Sequence, residues 1–178
     1  MLVDLLVGSL LALVVLAGVV AGMASGAHAL AAIARRVAAD EAVVLVTDAL
    51  RFDVRSAGFD PAAAGVEGVV AASAESVTLT ADLDADGRID ERSGEQVRWT
   101  CRRAARDLQR ELGHQAMPLV TDLDACAFDY ADADGRALAG TLDAAARRAV
   151  RVVVLEMALR SPAGPRLHRV SVALRTRP

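Results

Sequence analysis

The stretch LVDLLVGSLLALVVLAGVVAGMASGAHALAAIA, residues 2–34, constrains every reading of the chain that follows it. From Leu5 to Ala34 it holds no formally charged residue at neutral pH, and His28 is its one ionisable interruption. A helix needs roughly 20 apolar residues to cross a bilayer, so the run is long enough. A buried helix inside a globular domain would rarely be this long and this uniformly apolar. A secretory signal would open on basic residues, with a shorter apolar centre and a cleavage site. This chain opens Met1-Leu2-Val3-Asp4 instead. Arg35-Arg36, at the far end of the run, are placed to orient a membrane anchor.

Asp4 stands at the mouth of the apolar run. A carboxylate there costs little among lipid headgroups, but roughly 3 kcal/mol or more deeper in hydrocarbon. One reading leaves Asp4 in the headgroup layer, favouring the positive end of a helix dipole. The other starts from Leu2-Val3-Asp4-Leu5-Leu6-Val7-Gly8-Ser9-Leu10-Leu11, which resembles the prepilin N-terminus, a Phe-Thr-Leu-Ile-Glu-Leu-Leu-Val type of sequence after a cleaved glycine. On that alignment Met1 falls at the family's second mature position and Asp4 at its characteristic glutamate. The resemblance implies that Leu2, Val3, Asp4, Leu5 and Leu6 form an assembly segment, with Asp4 pairing to the N-terminal amine of a neighbouring subunit. An unpaired charge in an apolar bundle is costly, and an opposite charge from the next chain offsets that cost and sets axial register. The family's basic leader, cleavage glycine and first aromatic residue are not in this sequence. The resemblance therefore implies either a start further upstream or a route that bypasses the ordinary peptidase. Asp is also one methylene shorter than Glu, so the ion pair needs a closer approach.

Beyond Arg35 the pattern turns amphipathic. Ala34, Ala38, Ala42, Leu45, Ala49 and Phe52 recur at spacings of three and four, which predicts one apolar helix face. Ser56-Ala57-Gly58 ends the pattern and Pro61 bars its continuation. One helix is thus predicted from about Asp4 to Ala57, ~80 Å long at ~1.5 Å per residue. The sequence Asp48-Ala49-Leu50-Arg51-Phe52-Asp53-Val54-Arg55-Ser56-Ala57-Gly58-Phe59 resembles the stem end of W-type minor pilins, commonly Leu-x-x-Asp-Leu-Arg-x-Ala-Gly-Tyr. The organisation expected is a membrane or filament-core stem over residues 1–34, an amphipathic helix over 35–58 and a β-sheet head over 59–178.

In the head the period drops from 3.6 to 2 after a Gly/Ala-rich connector. Val77, Leu79 and Ala81 alternate with threonines, Val97, Trp99 and Cys101 with polar residues, and Cys126, Phe128 and Tyr130 share a third strand face. Val150 to Leu159 is apolar on both sides and reads as a central strand packed on the stem helix. Val170, Val172 and Leu174 form a closing strand, paired to it through the Ser161-Pro162-Ala163-Gly164-Pro165 turn. Residues 105–112 fit a helical turn or a strand. The fold class is α+β, a long helix on an antiparallel sheet. The order of elements resembles minor pseudopilin J and the W-type minor pilins. That resemblance implies the pilin fold, an inner-membrane single-pass location with the head outside the cytoplasm, and later residence in a type IV pilus or type II secretion pseudopilus. The partners it implies are other pilin-like stems, the inner-membrane assembly platform, and prepilin peptidase where a leader exists upstream.

Composition narrows the rest. Hydrophobic residues make up 54% but aromatics only 3%, so Ala, Val and Leu supply most of the core. The net charge of −3, with acids and arginines interspersed, lacks the basic stripe of a nucleic-acid binder. Cys101 and Cys126 form no Cys-x-x-Cys pair. They read as a disulfide if the domain sits outside the cytoplasm, and otherwise as two small buried thiols.

Asp82-Leu83-Asp84-Ala85-Asp86-Gly87-Arg88-Ile89-Asp90 places acids at relative positions 1, 3, 5 and 9 with Gly at 6. That matches the start of an EF-hand-type calcium loop, with the Arg88 carbonyl as a further ligand. The twelfth position is Ser93, and Glu95 falls two residues late. Asp-Gly is also a strong turn signal, so a plain hairpin loop is the competing reading. Calcium is the one cofactor suggested. No Ser-His-Asp or Cys-His grouping or phosphate loop occurs, and a structural role is expected rather than an enzymatic one. A signal-anchored domain that binds calcium or another ligand without polymerising is the alternative.

Overall fold

The computed structural model describes residues 2–161 and 164–175, without the side chains of residues 2–5 and 12. Helix α1 spans Leu2–Ser56, and the chain divides into two compact units, residues 1–41 and 42–178. In the first unit the backbone is helical and apolar side chains such as Leu6, Leu10, Val14 and Leu16 are exposed. Ala and Leu make this a strong helix former. The helix is long and apolar enough, by length and composition, to cross a membrane.

The second unit begins in the last turns of α1 and continues, among the described residues, through nine strands and a short helix. Strands β1 (Val69–Ala72), β2 (Ser76–Thr80), β3 (Gln96–Arg102), β4 (Asp107–Leu112) and β5 (Gln115–Val120) form an antiparallel meander in that spatial order. Strands β6 (Leu123–Ala131), β7 (Ala137–Leu138), β8 (Val152–Leu159) and β9 (Arg166–Ala173) form a second antiparallel sheet, ordered β7-β6-β8-β9. Helix α2 (Ala144–Ala149) lies between β7 and β8, capped by the Asp143 carboxylate, which accepts from the Ala146 N–H. The arrangement is a long helix with antiparallel sheets, as the periodicity predicts. The strand resolves the ambiguity over 105–112, because β4 pairs with β3 along its whole length. The Pro162 and Ala163 positions of the last expected turn lie outside the described residues, but Gly164 N–H bonds the Ser161 carbonyl and β8 and β9 pair throughout.

Two sheets replace the single sheet expected, and several ties join them. Cys101 on β3 and Cys126 on β6 are disulfide-bonded with Cα atoms 5.6 Å apart. The Tyr130 hydroxyl donates toward the Ser73 and Ser76 carbonyls, at 2.8 and 3.0 Å, and its burial pushes the phenol pKa up. The Phe128 N–H bonds the Ala74 carbonyl at 2.9 Å. The β1–β2 turn thus sits against β6, and Trp99, Phe128, Leu155 and Met157 are fully buried. Strand β8 is central between β6 and β9 and is buried on both faces.

The buried face of α1 differs from the one expected. Phe52 and Leu45 are exposed, at 65% and 56%, while Val46, Leu50, Asp53, Val54 and Ala57 are buried. The stripe is turned by about one residue, ~100° around the helix. Two causes combine. Val46, Leu50 and Val54 bury more apolar area than alanines at the predicted positions, each worth about 1.5–3 kcal/mol. Asp53 can join them because its charge is met inside. Its Oδ2 accepts from Trp99 Nε1 and Arg110 Nε, and its Oδ1 from Arg110 Nη2, all at 2.8 Å. Trp99 and Arg110 are direct cross-strand partners on β3 and β4, so one residue pair of the sheet forms the cradle. The bond to Asp53 outweighs desolvation and raises the Arg110 pKa.

The helix ends where this packing ends. Gly58 (φ 77°) takes the left-handed turn that stops α1, and its N–H bonds the Thr80 carbonyl of β2 at 2.8 Å. Gly68 passes so close that a Cβ there would lie 2.9 Å from the Gly58 nitrogen.

Replacing Asp53 with Ala strands the Trp99 N–H and the Arg110 guanidinium beside the helix. The expected loss is about 3–5 kcal/mol of folding stability, read as a lower midpoint in urea unfolding. A loss below about 1 kcal/mol would remove Asp53 from the centre of the packing argument.

Candidate functional site

The loop from Ala81 to Glu95 is held at both ends by the sheet that it leaves. Ala81 N–H bonds the Glu95 carbonyl at 2.9 Å, and Asp82 N–H bonds the Phe59 carbonyl at 2.8 Å. Asp82 is fully buried; its Oδ1 accepts from Asp86 N–H at 3.2 Å and its Oδ2 from Gly87 N–H at 3.0 Å. Asp84 Oδ1 also accepts from Asp86 N–H, at 3.1 Å, and Asp86 Oδ1 from Arg88 N–H, at 2.7 Å. Ala85 and Gly87 both take positive φ, 67° and 77°, which curls the chain round these carboxylates.

Asp82, Asp84 and Asp86 each present a carboxylate oxygen within 4.8 Å of the others. Three hard oxygens so close repel one another and suit a divalent cation. The triad could hold a metal ion. Asp90, the fourth expected ligand, is not in that cluster; its Oδ1 accepts from Arg92 N–H at 2.9 Å. Arg88 enters through its N–H.

Glu95 is the residue that spacing set aside. It is buried at the start of β3, and its Oε1 accepts from Leu83 N–H at 2.8 Å and Asp84 N–H at 3.3 Å. Its Oε2 accepts from Asp90 N–H at 2.8 Å. One carboxylate therefore organises the loop backbone across twelve residues. The signal available in sequence was an acid immediately before an alternating strand.

The electrostatics differ between the acids. The Asp90 N–H above all, then those of Leu83 and Asp84, hold the Glu95 carboxyl below its ordinary 4.5 against the effect of desolvation. At Asp84 the Asp86 N–H pulls the pKa down. Desolvation and the charges of Asp86, Glu95 and Asp82 together outweigh that pull and leave it above 3.8.

Of the expected assembly segment, Leu2, Val3, Asp4 and Leu5 belong to α1 by backbone, and their side chains lie outside the described residues. Leu6 is 61% exposed. In comparisons with known proteins, no protein-family model and no curated protein matches the chain.

A carboxyl with a depressed folded-state pKa stabilises the fold fully above its unfolded value, and the benefit is lost as pH falls through the folded value. Glu95→Gln is therefore expected to lower the melting temperature at neutral pH. The gap from the parent should close as pH drops below 4.5. Thermal melts of both proteins across that range check it, and a gap that stays constant with pH would contradict the role given to Glu95.

Proposed function

We propose that this protein is a minor pilin-like subunit, anchored in the inner membrane by residues 1–34 and carried into a type IV pilus or type II secretion filament. The observation that supports it most is the first unit. A continuous helix keeps apolar side chains exposed from Leu6 to Val37, while Val46, Leu50 and Val54 of the same helix are buried in a sheet-rich head. An exposed apolar surface of this extent needs lipid or other stems to cover it. Gly18, Gly22 and Gly26 lie four apart on one face, and a Cβ at any of them would meet nothing within 4 Å. Such spacing admits close approach of a neighbouring helix in an apolar medium. The acid at position 4 would then be the register point, paired with a neighbouring amine on leaving the lipid.

The head supplies a rigid, disulfide-linked body for lateral contacts. Its role is structural, with other pilin-like subunits and the assembly platform as partners. The calcium reading of the acidic loop belongs here as well, and the close approach of Asp82, Asp84 and Asp86 favours it. A signal-anchored domain that binds calcium and never polymerises is the second reading, favoured by that same triad.

The protein is expected in the membrane fraction before assembly and in crosslinks with other pilin-like stems. Asp4→Ala should reduce filament incorporation at least tenfold while the head melts normally, and Asp4→Glu should restore it. Undiminished incorporation of the Ala variant would defeat the register role, and absence of any stem crosslink would favour the non-polymerising reading.

For the loop, calcium titrated calorimetrically into the full chain in neutral detergent should release or absorb heat, and Asp84→Asn should weaken binding about tenfold or more. Ionised Asp84 is the binding form, so affinity should hold at neutral pH and fall as pH drops towards its raised pKa. No heat and no thermal shift at millimolar calcium would remove calcium from the proposal.

A further inference from the structure

A second concentration of charge lies in a cleft of about 510 Å³, where the connector after α1, helix α2 and the end of β9 meet. Arg147, Arg148, Arg151 and Arg175 line it against a single acid, Glu67. Arg148 is neutralised, its Nε and Nη2 donating to Glu67 Oε1 at 2.9 and 2.8 Å. The other three are not. Arg151 Nη1 donates to the carbonyls of Arg148 and Val150, and Arg147 Nη1 donates to that of Leu142. These bonds aim the guanidinium groups without cancelling their charge. Arg147 Nε is buried and has no partner among the described residues. Among the described residues, no carboxylate pairs with Arg147, Arg151 or Arg175.

We propose that this cleft binds a phosphoryl group. Three uncompensated guanidinium groups exceed what one carboxylate neutralises, whereas a phosphate monoester brings nearly two charges and three acceptor oxygens. Guanidinium forks match phosphate oxygens two at a time. The volume lies in the range of small-molecule sites, and Val150 and Leu174 give it an apolar wall for the rest of a ligand. The charge is local, since the chain as a whole carries −3. A positive cleft on an acidic protein concentrates anions from solution rather than repelling them. The phosphoryl group comes either from a free phosphorylated small molecule or from an anionic lipid headgroup.

The experiment uses the full chain, labelled with nitrogen-15, in phosphatidylcholine nanodiscs, with the arginine Nε–H resonances observed by NMR. In one arm glycerol 3-phosphate is titrated in; in the other phosphatidic acid, the lipid with the same phosphate monoester, is added to the nanodisc. A saturable shift at low millimolar phosphate in the first arm supports the site with a free ligand as its source. A shift confined to the second arm supports the site with lipid as its source. Arg175→Gln, which removes no intramolecular ion pair among the described residues, should weaken the response at least threefold. Arg147→Gln with Arg175→Gln should weaken it tenfold or more, and Arg136→Gln, outside the cleft, should leave it as in the parent. A response in neither arm beyond that of chloride at matched ionic strength would overturn the proposal. So would a response that both cleft variants leave intact.

Discussion

The head depends on one buried carboxylate. Asp53 sits at 4% exposure in the stripe of α1 that packs on the first sheet, and its carboxylate takes three hydrogen bonds from a tryptophan and an arginine facing each other on β3 and β4. A charge in that position is tolerable only with near-complete pairing, because desolvation costs several kcal/mol per ion and the partners must return it. Apolar packing alone would let a helix rotate or slide on a sheet at modest cost. The fork between Asp53 and Arg110 admits one rotation and one height. Gly58 then reverses the chain onto β2 within a turn of that point, so the anchor and the exit of the helix are set together.

The two sheets follow from the same economy of aromatic residues. With aromatics at 3% of the chain, the core cannot be wedged apart by large rings spread through every strand. Instead Trp99 fills the helix side of β3, and Phe128 and Tyr130 fill β6 where the β1–β2 turn meets it. The Cys101–Cys126 disulfide joins the same two strands. Small aliphatic residues pack the remainder, as on β8, where Val153, Val154, Leu155, Met157 and Ala158 are buried on both faces. In the first unit the same residue types are exposed among the described residues, on a helix long and apolar enough to cross a membrane.

Period-2 alternation was enough to place β2, β3, β6 and β9, and a run apolar on both sides was enough to place β8, which is buried on both faces. It also made the Asp82-x-Asp84-x-Asp86 spacing readable as oxygens brought together by one curled loop. The helix face was not legible. Local periodicity counts an aspartate as a solvent residue, and nothing near Asp53 in sequence shows partners 46 and 57 residues away. Glu95 escaped for the related reason that a loop template assigns ligands by position, while the fold assigned Glu95 by burial at the start of β3. The division into two sheets was hidden as well, since only two residues separate β5 from β6.

These misses share a physical origin that bears on how the head presents charge. Asp53, Glu95 and Asp82 are all buried and all satisfied, by a tryptophan, an arginine or backbone N–H groups. They spend their hydrogen-bonding capacity on holding helix, loop and strand in place. What remains for a partner is the charge that the fold leaves unspent. On one side it is the exposed carboxylates of Asp84 and Asp86; on the other it is the arginines of the cleft beside α2. A net charge of −3 averages over both and conceals them. Because the same connector touches both, with Ala62 and Ala64 near Gly87 and Gly65 to Gly68 lining the cleft, a cation in the loop and an anion in the cleft would each act on one short segment.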